Sequence, residues 1–243
     1  THSAASGLPV ADADTADIAA DIRPAPPPAL KPSPAPALDP GNPMIEFGHL
    51  THTGLRRDLN EDTYYGDSDL GLWLVADGMG GHEYGEVASA LARETIVREI
   101  RQGTPLEQAI RIADEEIIRA SRQRHDTLPM GTTVVAARVR RNRFEVAWVG
   151  DSRVYLWHGG RLTQLSQDHS YVQELISQGT ISVDQARDHP HRNVVTQALG
   201  ITDPKALNVE TMTGEQRRAD RRSGRCQHRP GALAYRVQRA GVR

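Results

Sequence analysis

The chemistry in this chain begins with acids placed at the ends of apolar runs. Leu72 to Ala76 is an apolar stretch that reads as a buried strand. It stops on Asp77, and glycines follow at positions 78, 80 and 81. A carboxylate at the end of a buried strand is costly unless something pairs with it. Glycines beside it let carbonyl groups or a ligand come close. Hard divalent cations take oxygen ligands, and Asp77 with the Gly78 carbonyl offers two of them. The competing reading is a strand-turn-helix connection with a capping Asp. A second acidic site precedes it. Arg56-Arg57 and Glu61-Asp62 share one polar turn. Such a cluster is either a solvated charged loop or the start of a ligand-bearing strand beside an anion-binding arginine. Arginine suits phosphate because its planar fork gives two parallel charge-assisted hydrogen bonds.

Elements must hold these groups in place. Residues 85–101 carry a helical apolar stripe at Val87, Ala88, Leu91, Ala92, Ile96, Val97 and Ile100. Residues 104–124 repeat the pattern, with Thr104 expected as N-cap, Pro105 at the first helical position and Glu107 closing a capping box. Two amphipathic helices covering a sheet follow from this. From Met130 the period changes. Residues 45–51, 132–140, 144–149, 154–157 and 161–165 read as strands, with Arg141-Asn142-Arg143 as a hairpin turn. An antiparallel meander, rather than a βαβ series, results. Asp168 to Ile176 and Ser182 to His189 are expected to be short helices.

Composition sets the outer bounds. The chain has 243 residues, a net charge of -2 and 38% hydrophobic residues. That charge gives no bulk electrostatic case for nucleic acid or a membrane surface. The single cysteine, Cys226, excludes an internal disulfide and a cysteine-built zinc site. No apolar run approaches the roughly 18 residues of a membrane span. No signal peptide is visible, and the chain begins at Thr1 rather than Met. A cytoplasmic location is the expectation. Residues 1–43 are rich in Ala, Pro and Asp and are expected to form a disordered arm. Residues 44–214 form the expected folded domain, and residues 215–243 an Arg-rich, aberrant tail.

Several motifs stand in order along the chain: Gly54-x-x-Arg57-x-x-Asn60-Glu61-Asp62, Val75-Ala76-Asp77-Gly78-Met79-Gly80-Gly81-His82, Gly85-Glu86-Val87-Ala88-Ser89 and Met130-Gly131-Thr132-Thr133. Val149-Gly150-Asp151-Ser152-Arg153, Asp168-His169-Ser170, and His189-Pro190 followed by Asn193 and Ala198-Leu199-Gly200 complete the set. Taken together, they resemble the bacterial metal-dependent type 2C serine/threonine protein phosphatases. The resemblance implies an α+β fold, a four-layer α-β-β-α sandwich of two antiparallel sheets flanked by antiparallel helices, incomplete here at its C-terminus. It implies two Mn2+ or Mg2+ ions. Asp62 and Asp77 would be ligands, Gly78 would contribute its carbonyl and Glu61 would bind through water. Asp151 would serve a third, weaker ion, or be an ordinary turn residue. Arg57 would hold the substrate phosphate, and His82 would donate a proton or touch substrate. The implied reaction is hydrolysis of phosphoserine and phosphothreonine in proteins by metal-activated water, with no protein nucleophile. The implied partners are phosphoproteins and a cognate Ser/Thr kinase, with no nucleic acid, no membrane and a monomeric enzyme.

The chain departs from that pattern near its end. The family continues with a strand ending in Ser-Asp-Gly and later an Asp-Asn pair, both acids being ligands there. Neither motif occurs here. The stretch after Gln216 is Arg-rich and patternless, resembling either a shifted reading frame or a divergent basic tail. A chain short of two ligand motifs is expected to be poorly stable and nearly inactive. Asp168 and Asp203 are the nearest acids that could complete the site. A phosphoprotein-binding pseudophosphatase and a non-functional truncated product are the alternatives to an active enzyme.

Overall fold

The protein is described by a computed structural model covering residues 45–54, 59–80, 84–123, 130–158 and 160–215, with the backbone of 232–236. The expected arm over residues 1–43, Arg57 and His82 lie outside these described residues.

Two sheets and one helix pair make the frame. Strands β1 (Asp62–Asp67), β2 (Leu72–Met79), β3 (Gly131–Thr132), β4 (Val134–Arg140) and β5 (Arg143–Val149) come first. Strands β6 (Arg153–His158), β7 (Arg161–Gln164), β8 (Glu210–Glu215) and β9 (Ala232–Arg236) follow. The larger sheet runs β1-β2-β4-β5-β8, with β3 added on β2. The smaller sheet runs β7-β6-β9. Every pairing is antiparallel.

Alternation along the central strands sorts side chains to two faces. Leu72, Leu74, Val134, Ala136, Ala147 and Val149 face helices α1 (Tyr84–Gln102) and α2 (Leu106–Arg122). Those helices answer with Ala88, Ala92, Ile96 and Ile100, and with Leu106, Ala109, Ile110, Ala113 and Ile117. The other face carries Val135, Ala137, Val146 and Trp148, packed with Val154 of β6. Layers of helix, large sheet and small sheet result.

Several expected elements differ in detail. Residues 45–51 form no strand; the segment lies along β1 through side chains instead. Phe47 meets Trp73 edge-on at 6.3 Å and His49 stacks on Tyr64 at 4.3 Å. Thr104 does not cap α2. Its hydroxyl turns back to Glu99 at 3.2 Å, Pro105 takes the N-cap position with no side-chain cap bond, and Glu107 pairs with Arg111 at 3.0 Å. The β4–β5 turn is two residues, Arg141 and Asn142, and Arg143 is already paired with Arg140. Arg141 takes φ 54°, the backbone that a tight hairpin turn demands. Helix α3 (Tyr171–Ser177) begins three residues later than expected, because Ser170 is its cap and Asp168 and His169 have other work. Helix α4 (Val183–Arg187) opens on Ser182 with a capping box to Gln185. Finally, β9 falls inside the tail that read as patternless. It pairs with β6 from Arg153↔Arg236 to Trp157↔Ala232. An open strand edge accepts any extended backbone with free N–H and C=O groups, so this pairing asks little of the sequence.

Candidate functional site

Asp62 and Asp77 meet across a strand pair. Asp62 opens β1, and its Cα partner in β2 is Asp77. Directly opposed residues of an antiparallel pair project to the same face with Cβ atoms roughly 5 Å apart. The register therefore brings together two carboxylates that are fifteen positions apart in sequence. Asn60 sets the approach: its Oδ1 accepts from the Asp62 N–H at 3.2 Å, and its Nδ2 donates to Thr51 at 2.7 Å.

The backbone at Asp77 is fixed by Thr132 of β3 and by Thr133 just after it. The Asp77 carbonyl accepts from the Thr133 N–H at 2.9 Å and the Thr132 hydroxyl at 3.0 Å. The Asp77 N–H donates to Thr133 Oγ1 at 3.2 Å. Thr133 Oγ1 also lies 2.7 Å from Ser152 Oγ, which ties the Gly150-Asp151-Ser152 turn to the same point. Gly150 sits at φ +103°, and a Cβ there would lie 2.6 Å from the Thr133 Cβ. Only glycine satisfies both conditions.

Glu61 is buried where α1 starts. Its carbonyl accepts from Gly78 N–H at 3.1 Å and from Ser89 Oγ at 2.8 Å. A Cβ on Gly85 would come within 2.7 Å of Glu61 Oε1, and one on Gly78 would overlap the Gly85 carbonyl. The glycines thus let the helix start, the strand end and the acidic turn share one volume. The α1 N-terminus favours a carboxylate at that position.

Asp151 stands next to this pair. Its carboxyl is pushed up to about 6, chiefly by burial and then by the charges of Asp168 and Asp77. The acid is therefore electrostatically coupled to Asp168 and Asp77.

Asp168 is paired with an arginine. Arg153 holds it in a fork: Nε donates at 2.8 and 2.9 Å, and Nη2 makes a further, shorter contact. That bond keeps the guanidinium charged by raising its already high pKa, against the opposing effect of burial. Asp203 is exposed and accepts from the Lys205 N–H at 2.9 Å, closing its own turn. Both acids that the sequence offered as substitute ligands are thus already engaged, Asp168 by Arg153 and Asp203 by its own turn.

Two residues not singled out as site groups prove to be supports. His169 donates its N–H to the Gly150 carbonyl at 2.9 Å, and its Nδ1 accepts from the Gly150 N–H at 3.2 Å. Its Nε2 lies 3.3 Å from Glu210 Oε1 in β8. The Asp168-His169-Ser170 motif was a signal for this, since each of its residues has a separate bonding task. Glu210 carried no comparable signal.

The residues suit a divalent cation in kind. Asp62, Asp77, Glu61 and Asp151 are hard oxygen donors gathered at one end of one sheet, and the like charges there call for a counter-ion. In number they fall short. Among the described residues no three histidine, cysteine, aspartate or glutamate side chains are gathered closely enough to hold a metal ion.

The same pattern of residues and strands recurs in known proteins. The family profile described as Protein phosphatase 2C matches residues 54–219. The Serine/threonine phosphatase stp of Listeria monocytogenes is 37% identical over 164 residues, covering 62% of this chain and 65% of that protein. The crystal structure of the serine/threonine phosphatase PstP/Ppp of Mycobacterium tuberculosis superposes with a TM-score of 0.62 at 34% identity, covering 68% of this chain and 71% of the other. A structure of the PstP catalytic domain in complex with two manganese ions gives a TM-score of 0.59 at 32% identity, covering 68% and 70%. The chain belongs to the protein phosphatase 2C family. It spans about 65% of the length of the Listeria relatives it matches.

Proposed function

We propose that the chain hydrolyses phosphoserine and phosphothreonine in proteins, using Mn2+ or Mg2+ held at the acidic end of the large sheet. The observation that carries this reading is the register that sets Asp62 opposite Asp77. Two divalent ions, when bound, supply the activation of an attacking water and the neutralisation of phosphoryl charge.

The chain's own residues hold and orient. Asp62 and Asp77 would be the principal ligands, with the Gly78 carbonyl beside them, Glu61 acting through water and Asp151 at a weaker position. Thr132 and Thr133 keep the Asp77 backbone from moving as charge changes at its carboxylate. We assign Arg57 to the substrate phosphate and His82 to the proton of the leaving oxygen, on their places in the family motifs. No side-chain nucleophile is required, which accords with a single cysteine in an Arg-rich stretch. The substrates would be phosphoproteins made by a Ser/Thr kinase of the same cell. The enzyme would act as a cytoplasmic monomer, with no nucleic-acid or membrane partner.

Metal dependence tests this reading. Turnover of p-nitrophenyl phosphate and of a phosphothreonine peptide should vanish with chelator and return with added Mn2+. Half-activation should need millimolar Mn2+, because a partial ligand set binds weakly and the Ser-Asp-Gly and Asp-Asn motifs are missing. Turnover that persists in chelator would overturn the assignment.

A further inference from the structure

At the opposite end of the same strands lies a buried cation, Arg138, two of whose three guanidinium nitrogens make no hydrogen bond. Arg138 of β4 has Leu72 and Glu145 as its Cα partners in the flanking strands. Strand alternation turns it to the helix-covered face, and only 6% of it is exposed. Its Nε and Nη2 are buried without a hydrogen-bond partner. A guanidinium in that condition is strongly unfavourable unless a counter-charge reaches it. Glu145, directly across the ladder, makes no ion pair with it. Burial pushes the Glu145 carboxyl above its ordinary pKa, which weakens the negative charge directly across from Arg138.

Arg138 lines a groove between the β4–β5 hairpin, the β1–β2 turn and the end of α1. Five arginines line it against three carboxylates. Of those acids, Glu215 is already paired with Arg143 at 3.4 Å. Arg101 leans in from the helix, donating to the Tyr65 hydroxyl at 3.2 Å. Arg140 and Arg143 line it as well and are exposed. Several cationic forks on one groove suit a multiply charged, tetrahedral anion better than a single carboxylate. Leu72, opposite Arg138, is five residues before Asp77 on β2, roughly 17 Å along the strand. The groove is therefore separate from the acidic end.

We infer that this groove is a second anion site, taking a phosphate-type oxyanion with the buried Arg138 guanidinium as its floor.

Thermal melting of the full chain in chelator tests the site without metal at the acidic end. Inorganic phosphate, compared with chloride at matched ionic strength, should raise Tm saturably. Arg138→Met should melt higher than the parent in the absence of phosphate, because an unpaired buried cation is gone, and should no longer respond to phosphate. Arg140→Gln, at an exposed position, should fold normally and raise the phosphate concentration at half response by roughly three- to tenfold. A second arm uses O-phosphoserine. A larger response to it than to phosphate would assign the site to phosphorylated side chains, and a smaller one to free phosphate; both support the site. No response in the parent, a full response in Arg138→Met, or a lower melting point for that variant without phosphate would overturn it.

Discussion

The two ends of β2 and β4 are built from opposite charges and by opposite means. At one end Asp62, Asp77 and Asp151 are drawn together by backbone bonds through Thr132, Thr133 and the glycines. At the other, Arg138 is turned inward by strand alternation alone, and nothing is bonded to its Nε or Nη2. The difference separates two kinds of buried charge. Small residues that could hold no side chain of their own mark the acidic end as assembled. The arginine end also has a tight glycine, Gly71, whose carbonyl accepts from the Val139 N–H at 2.8 Å, but no bond reaches the Arg138 Nε or Nη2.

The comparison breaks most readily at Asp77. If the acidic end is the working end, Asp77→Asn should lower Mn2+-dependent turnover of p-nitrophenyl phosphate by at least about a hundredfold. The backbone bonds to Thr132 and Thr133 do not involve its carboxylate, so the melting temperature should stay close to that of the parent. Equal turnover in the variant would move the chemistry elsewhere.

Glycines sharpen it. A Cβ on Gly78 would overlap the Gly85 carbonyl, a backbone atom that cannot yield without moving the start of α1. Gly78→Ala should cost about 3 kcal/mol in urea melts. A Cβ on Gly214, at the arginine end, would meet the far edge of the Phe144 ring, which can swing aside. Gly214→Ala should cost about 1 kcal/mol or less. Equal losses would mean that the two ends are equally rigid.

This contrast also explains what could be read from the sequence. The helices were legible from an apolar period of 3.6, and the central strands from continuous apolar runs such as Leu72 to Ala76. The candidate acids were legible because Asp77 and Asp151 follow apolar runs beside a glycine and Glu61-Asp62 precedes a strand. Three things were not. The pairing of Asp168 with Arg153 depends on where a loop crosses β6, which no local pattern encodes. The use of Thr104 against Glu99 rather than as a cap depends on how α1 ends. Arg138 occupies an inward position of a strand whose neighbours are Val and Ala, and its type alone did not say that the position is buried. Periodicity assigns faces; it does not say which face a charged residue will be left on.

The smallest effect concerns Asp114, which holds the Ala198-Leu199-Gly200 motif against the back of the acidic end. Its Oδ1 accepts from the Gly200 N–H at 2.7 Å, and Leu199 in turn is bridged to Thr132 of β3. Burial pushes the Asp114 carboxyl above its ordinary value of 3.8. Glu115 adds to the rise, while the Gly200 bond and Arg111 oppose it. A carboxyl with a raised folded-state pKa binds its proton more tightly in the folded than in the unfolded chain. Between the two pKa values the folded state therefore carries more protons, and stability falls as pH rises through that window. The contribution is complete below the unfolded value and lost above the folded one. Asp114→Asn keeps an oxygen for the Gly200 N–H and cannot ionise. Its urea midpoint should match the parent at about pH 3.5 and exceed it at pH 7, with the gap opening just above the ordinary carboxylate range. A gap that closes as pH rises would mean that the ionised carboxylate is the better partner for Gly200, and that the bond rather than burial governs this position.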